Sequence, residues 1–78
     1  MSTRIERISF DGPNLIFQVN RDRYVVQTSR ISDRLAAADQ SVIEKAELLS
    51  GGYTVHWPQL DLQMSASGMM QMGRRYYA

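Results

Sequence analysis

The sequence predicts an α+β domain built on an antiparallel sheet of about five strands, a three-stranded meander plus a C-terminal hairpin, with two or three short helices. Three observations lead to this prediction. The first third alternates apolar and polar residues at the period of a strand, the middle third changes to helical periods, and a glycine pair later precedes a second strand-forming run. The chain of 78 residues is long enough for one domain, which we place at 1–73, followed by a short tail at 74–78.

The first third predicts three strands joined by tight turns. Turn-forming residues at 11–14 and a polar bend at 20–22 separate runs that are rich in β-branched and aromatic side chains. In the first strand, alternation places Ile5 on the same face as Arg7, and Phe10 on the opposite face. The predicted strands are residues 5–10, 15–19 and 23–28.

Two short helices are predicted in the middle of the chain. Ser29 or Ser32 can accept the first backbone N–H groups of a helix that runs through the alanine run that follows. Asp39 and Ser41 both offer a start for a second helix, and Ser41 and Glu44 have the spacing of a capping box, in which the two side chains satisfy each other's backbone donors. That helix either continues or gives way to a strand at 47–50.

The last third predicts a hairpin and a third helix. Gly51 and Gly52 suit the positive φ angles of a two-residue hairpin turn, and residues 53–57 form a strong strand after it. Ser65 can cap a helix over residues 66–72.

Composition and charge exclude several classes of protein. Nine Lys and Arg against eight Asp and Glu give a net charge of +1, which leaves room for a local basic patch but does not indicate a dedicated polyanion binder. The lack of cysteine excludes a disulfide scaffold, a zinc ribbon and a thiol nucleophile. No apolar run is long enough to span a membrane and the N-terminus lacks a signal-peptide core, so we expect a cytoplasmic protein.

The polar residues give no catalytic constellation. His56 is the single histidine, and a metal site built on it would need carboxylates alone, so we expect one ring nitrogen to be satisfied locally. Asp61 follows the turn after Pro58 and is expected to bond to nearby backbone. The glycine pair lacks the Lys and Ser or Thr of a phosphate-binding loop. We therefore expect no enzymatic activity, no cofactor and no metal.

Arginine dominates the basic residues, supplying eight of the nine. Its planar guanidinium binds phosphates and carboxylates bidentately and stacks on aromatic rings. The two C-terminal arginines adjoin two tyrosines, a combination that proteins use to bind single-stranded nucleic acids. The alternative is a solvated surface with a frayed tail. The candidate phosphate-binding residues are Arg21, Arg23, Arg30, Arg74 and Arg75.

Large apolar residues are the candidates for contact with a protein partner. Trp57 lies in the strongest predicted strand, which favours a core position over an exposed anchor. Four methionines crowd the C-terminal segment, where thioethers either fill the core or present an adaptable binding surface. The candidate partner-binding residues are Tyr53, Trp57, Met69, Met70, Tyr76 and Tyr77.

One stretch carries a resemblance to a known family. The chain reads Gly-Gly-Tyr-Thr-Val-His-Trp-Pro at 51–58, then Leu60-Asp61 and a short helix ending in Met69-Met70, with Arg-Leu-Ala-Ala-Ala upstream at 34–38. On these residues it resembles the small bacterial domain-of-unknown-function 2442 family. The family signature falls on Gly51, Gly52, His56, Trp57, Pro58 and Asp61.

The resemblance implies a small α+β domain with an antiparallel sheet and no established catalysis. Family members are often encoded beside another small protein and are suspected of acting in toxin–antitoxin pairs, which implies a protein partner. Two stretches depart from the family pattern. Leu62 and Gln63 stand where the family continues its aspartate into an acidic cluster, and Met69-Met70 replaces its usual Leu-Leu.

Three functions follow as expectations. The first is a non-enzymatic, antitoxin-like interaction protein that masks a toxin or similar protein partner. The second is an inhibitor, carried by a phage or mobile element, of a defence nuclease complex, as anti-CRISPR proteins are. The third is a nucleic-acid-binding accessory domain that uses its arginines. The sequence also allows a homodimer, because the open edge of a small sheet invites pairing between chains.

Overall fold

The computed structural model describes residues 3–77, which form two antiparallel sheets and three short helices. The strands are β1 (Arg7–Asp11), β2 (Asn14–Val19), β3 (Asp22–Gln27), β4 (Glu47–Leu49), β5 (Thr54–Trp57), β6 (Leu62–Ser65) and β7 (Arg74–Arg75). One sheet has four strands in the order β1-β2-β3-β7, and the other has three in the order β4-β5-β6. The helices are α1 (Asp33–Ala37), α2 (Gln40–Ile43) and α3 (Ala66–Met72), and single 3₁₀ turns form at Thr28–Arg30, Ser50–Gly52 and Pro58–Leu60.

The α+β class and the antiparallel meander are confirmed. The strands form two sheets, in which β6 extends the predicted hairpin at β5 and β7 returns to extend the meander at β3. There β7 pairs Arg74 with Val25 and Arg75 with Tyr24. Residues 74 and 75 of the predicted tail therefore form an edge strand, and Ala78 of that tail lies outside the described residues. In the part of the chain that the structure describes, no helix combines the length and the apolar character needed to cross a bilayer.

Alternation along β2 sets the two faces of the four-stranded sheet. Leu15, Phe17 and Val19 are buried, while the residues between them are only half-buried. Ile8 pairs with Phe17, and this places the apolar residues of β1 on the same inner face. The inner face of the sheet therefore supplies one side of the core.

Ile5 departs from the predicted alternation. It lies before β1, and its N–H donates to the carbonyl oxygen of Gly52 over 2.8 Å, which turns its side chain into the core at 1% exposure. Gly52 is at φ +102°, and a Cβ there would lie 2.1 Å from the backbone oxygen of Ile5. Only glycine fits this close approach of two backbones.

The turn between β4 and β5 also differs from the prediction of a two-residue loop. Leu49 pairs with Thr54, so four residues make the connection. Three of them have positive φ angles, Ser50 at 57°, Gly51 at 71° and Gly52 at 102°. The strand predicted as an alternative at 47–50 is confirmed, because residues 47–49 form β4 and α2 already ends at Ile43.

Serine caps begin two of the helices as predicted. The side chain of Ser32 accepts the N–H of Arg34 over 3.0 Å, and Ser65 accepts that of Gly68 over 3.0 Å. The predicted capping box at Ser41 and Glu44 is wrong. Asp39 occupies the N-cap of α2, so Ser41 lies inside the helix and Glu44 at its end.

Both sheets and all three helices contribute to one hydrophobic core. Trp57 is 0% exposed at its centre, and its indole Nε1–H donates to the carbonyl oxygen of Ile43 over 3.0 Å. The buried apolar residues are Ile5, Leu15, Phe17, Val19, Val26, Leu35, Ile43, Val55, Trp57, Ala66 and Met69.

Candidate binding surface

The outer face of the four-stranded sheet carries a cluster of arginines with apolar side chains among them. Strand register places Ile16 beside Val25 and Arg74 in one row, and both apolar side chains are half-buried. No residue of this face among those described is buried, so no other part of the described chain covers it. We call the following residues the arginine face: Arg7, Ser9, Asp11, Asn14, Ile16, Gln18, Arg23, Val25, Gln27 and Arg74.

The arginine face is strongly positive on a protein whose net charge is only +1. Arg7, Arg23 and Arg74 project from it, and Asp11 is its single carboxylate. Arg30, in the 3₁₀ turn that follows β3, lies at its border. Among residues 3–77, no carboxylate forms an ion pair with any of these four arginines. Their charges are therefore free to meet an external anion.

A cleft opens where β3, β7 and the end of α3 meet. Its volume is about 350 Å³, and its lining includes Asn14, Gln27, Arg30, Met72, Arg74 and Tyr76. The Tyr76 ring lies under the guanidinium of Arg23, 5.6 Å from its Cζ. Three of the five predicted phosphate-binding residues, Arg23, Arg30 and Arg74, thus gather around one tyrosine.

The other two predicted phosphate-binding residues lie elsewhere. Arg75 pairs with Tyr24 and so belongs to the inner face, where its guanidinium donates to Asp22 Oδ1 over 3.0 Å. The same guanidinium lies 5.9 Å from the ring centre of Tyr24 and 5.7 Å from that of Tyr77. Arg21 is exposed in the turn between β2 and β3. Neither contributes to the cleft.

The predicted apolar anchors are scattered, and two of them need correction. Trp57 and Met69 are both 0% exposed, so neither side chain can reach a partner. Tyr53 is 44% exposed at the turn before β5, far along the chain from Tyr77, which is 81% exposed. The half-buried Met70 packs against the core. Tyr76 alone among the anchors borders the arginine face.

Sequence reasoning did not select the apolar centre of the arginine face. Ile16 and Val25 each have apolar residues on both sides in the chain, so the sequence indicates only that they belong to strands. Alternation gives the available signal: Leu15 and Phe17 point inward, so Ile16 must point outward.

His56 lies on the outer face of the other sheet. Its Nδ1 is 3.3 Å from Glu47 Oε1, and its side chain is 20% exposed. Such a pair can orient an imidazole. A second cavity of about 300 Å³ lies between residues 4–6 and 48–52. His56 lines neither this cavity nor the cleft beside β7. Within residues 3–77, no three His, Cys, Asp or Glu side chains group to hold a metal ion.

The remaining signature residues build the scaffold. Asp61 adopts the left-handed conformation, at φ 49°, that closes the 3₁₀ turn beginning at Pro58. The guanidinium of Arg34 donates to the carbonyl oxygens of Leu60, over 3.0 Å, and Asp61, over 3.3 Å. Among residues 3–77 no hydrogen bond joins the Asp61 carboxylate to nearby backbone, so the expected role of this side chain is not observed. The backbone carbonyls at 60 and 61 instead join α1 to the turn after β5 through Arg34.

Comparison with known proteins agrees with the resemblance seen in the sequence. The family described as "Protein of unknown function (DUF2442)" matches residues 5–74. No curated protein and no solved structure matches the chain.

Proposed function

Because the chain belongs to the DUF2442 family, whose description gives no function, we propose a role from the geometry: a non-enzymatic binding module that masks a protein partner, in the manner of an antitoxin. The arginine face makes the contact. One observation carries this proposal: an uncovered sheet face combines apolar side chains with arginines that no described carboxylate neutralises.

The composition of the arginine face suits a protein interface. Ile16 and Val25 supply an apolar centre, and Arg23, Arg30 and Arg74 stand around it. Interfaces are built in this way, with an apolar core, a polar rim and arginine enriched among the residues that dominate binding. A standard interface covers about 800 Å² on each partner, against a total surface of 5049 Å² for this chain. A contact of standard size would therefore cover about a sixth of that surface.

The sign of the charge selects the partner's chemistry. Arginines around an apolar centre favour a partner surface that offers carboxylates at matching positions. A protein that inhibited a nuclease by mimicking nucleic acid would instead present carboxylates. We propose that the partner, a toxin or a subunit of a defence complex, presents an acidic patch to the arginine face in the cytoplasm.

Capture with matched variants tests this proposal. The tagged chain is incubated with nuclease-treated lysate of its host, and the retained protein is identified and its affinity measured. Arg30→Glu with Arg74→Glu should weaken that affinity at least about tenfold by placing like charges at the contact. Lys45→Glu, an exposed charge reversal after α2, is the control and should leave the affinity unchanged.

Equal capture by the double variant and by wild type would contradict the proposal. The identity of the captured protein separates an antitoxin from an inhibitor of a defence complex. Far-UV circular dichroism of both variants checks that the fold is retained.

A second function, binding of single-stranded nucleic acid, is favoured by the cleft itself. Arg23, Arg30 and Arg74 gather around Tyr76, which combines charge with a ring on which a base can stack. About three phosphate contacts would give a log–log salt slope near −2, because each contact releases counterions. Titration of a labelled oligonucleotide at several salt concentrations measures this slope. Absence of binding at low salt would exclude this second function.

A further inference from the structure

Strand β1 ends the four-stranded sheet and leaves one backbone edge open. Within residues 3–77 it pairs only with β2, and its five residues alternate between exposed and half-buried. An open edge presents N–H and C=O groups in the geometry that accepts another strand. The half-buried residues are Ile8 and Phe10, whose side chains pack against the core next to this edge.

The turn that follows β1 determines which backbone groups point to the open edge. Asp11 pairs with Asn14 across the two-residue turn of Gly12, at φ +58°, and Pro13. The closing pair of such a hairpin exchanges hydrogen bonds, and hydrogen-bonded pairs then alternate along the strands. Asp11, Ser9 and Arg7 thus bond to β2, and the amides of Ile8 and Phe10 face outward.

We propose that β1 pairs antiparallel with β1 of a second copy of this chain, with the two Ser9 residues facing each other on the two-fold axis. In this register the outward N–H and C=O groups of Ile8 exchange hydrogen bonds with those of the second copy's Phe10, and the reverse pair forms by symmetry. The two half-buried side chains also meet on the inner face and cover each other. Two four-stranded sheets become one of eight strands.

Charge complementarity selects this register. Antiparallel pairing about Ser9 places Arg7 of each copy opposite Asp11 of the other, so two opposite-charge pairs form on the outer face. Moving one chain by two residues, the smallest shift that keeps the outward amides paired, places Arg7 opposite Ser9 or Pro13 and removes both pairs. The sequence of β1 is therefore complementary to itself.

The dimer joins the arginine faces of the two copies into one surface. Arg7 and Asp11 neutralise each other at the junction, and each copy retains Arg23, Arg30 and Arg74. This assembly is independent of the partner proposed above, because none of those three arginines takes part in the strand pairing.

Charge exchange tests the register. Sedimentation equilibrium measures the dimer dissociation constant of wild type, of Arg7→Glu, of Asp11→Arg and of the chain with both changes. Each single change converts two opposite-charge pairs into two like-charge pairs and should raise that constant about tenfold or more. The combined change restores opposite charges and should return the constant to within about threefold of wild type.

Two further exposed residues provide matched controls. The same charge changes are made away from the open edge by Asp39→Arg, before α2, and by Arg21→Glu, in the turn between β2 and β3. Both controls should leave the dimer dissociation constant unchanged. A monomer at every concentration would overturn the proposal. A dimer that forms equally in all variants would overturn the register, and circular dichroism confirms that each variant folds.

Discussion

Replacement of Trp57 tests whether the family signature holds the core together. The indole is 0% exposed, and its Nε1–H donates to the carbonyl oxygen of Ile43 over 3.0 Å. Trp57→Phe keeps an aromatic ring in the core but removes the donor. An unpaired buried carbonyl costs about 1–3 kcal/mol, and the space left by the smaller ring adds about 1 kcal/mol. We expect the free energy of unfolding to fall by about 2–4 kcal/mol.

Urea denaturation followed by far-UV circular dichroism measures this change, since Trp57 is the only tryptophan and its fluorescence is lost in the variant. A domain of 78 residues has a total stability of about 4–12 kcal/mol, so the midpoint should move clearly. The control, Tyr53→Phe, alters a ring that is 44% exposed and should change stability by less than about 0.5 kcal/mol. A loss below about 1 kcal/mol in Trp57→Phe would refute the buried hydrogen bond.

Two other signature residues give contrasting predictions. Gly52→Ala forces a Cβ to 2.1 Å from the Ile5 oxygen and should lower the free energy of unfolding by at least about 2 kcal/mol more than Gly12→Ala. Gly12 also has a positive φ but nothing within 4 Å of the added Cβ, so equal losses in urea denaturation would contradict the close approach. His56→Gln removes only a partly exposed pair with Glu47, worth about 0–1 kcal/mol, and should leave both stability and partner capture intact. Loss of partner capture by a folded His56→Gln variant would place the partner-binding site on the three-stranded sheet instead.

The elements that follow from local chemistry could be predicted from the sequence. Alternation and β-branched residues locate β1, β2, β3 and β5 within one or two residues. Ser32 and Ser65 begin their helices because a side-chain oxygen there satisfies an otherwise free N–H group. The preference for a core position of Trp57 also agrees with its burial.

Features that depend on contacts distant in sequence could not be predicted in this way. The pairing of β7 with β3 joins residues about fifty positions apart and is signalled by no local pattern. Ile5 is buried because the backbone of Gly52 meets it, and this overrides the alternation of the first strand. The capping box fails for a local reason instead, because Asp39, the other start that the sequence offers, takes the N-cap position of α2.

The binding surface depends on these distant contacts most strongly. Arg23 and Arg30 become neighbours of Arg74 only because β7 returns to the sheet. Most of the family signature lies elsewhere: the glycine pair, Trp57, Pro58 and Asp61 shape the turns and core of the second sheet. These signature residues therefore hold the scaffold, whereas the arginine face proposed to contact the partner lies on the other sheet.

Methyl NMR of the chain with its captured partner tests the central claim most directly. Ile16 and Val25 mark the centre of the arginine face, while Leu49 and Thr54 pair on the outer face of the other sheet. The account predicts that the methyl signals of Ile16 and Val25 shift or broaden on binding and that those of Leu49 and Thr54 stay in place. Shifts confined to Leu49 and Thr54, with Ile16 and Val25 unchanged, would contradict it.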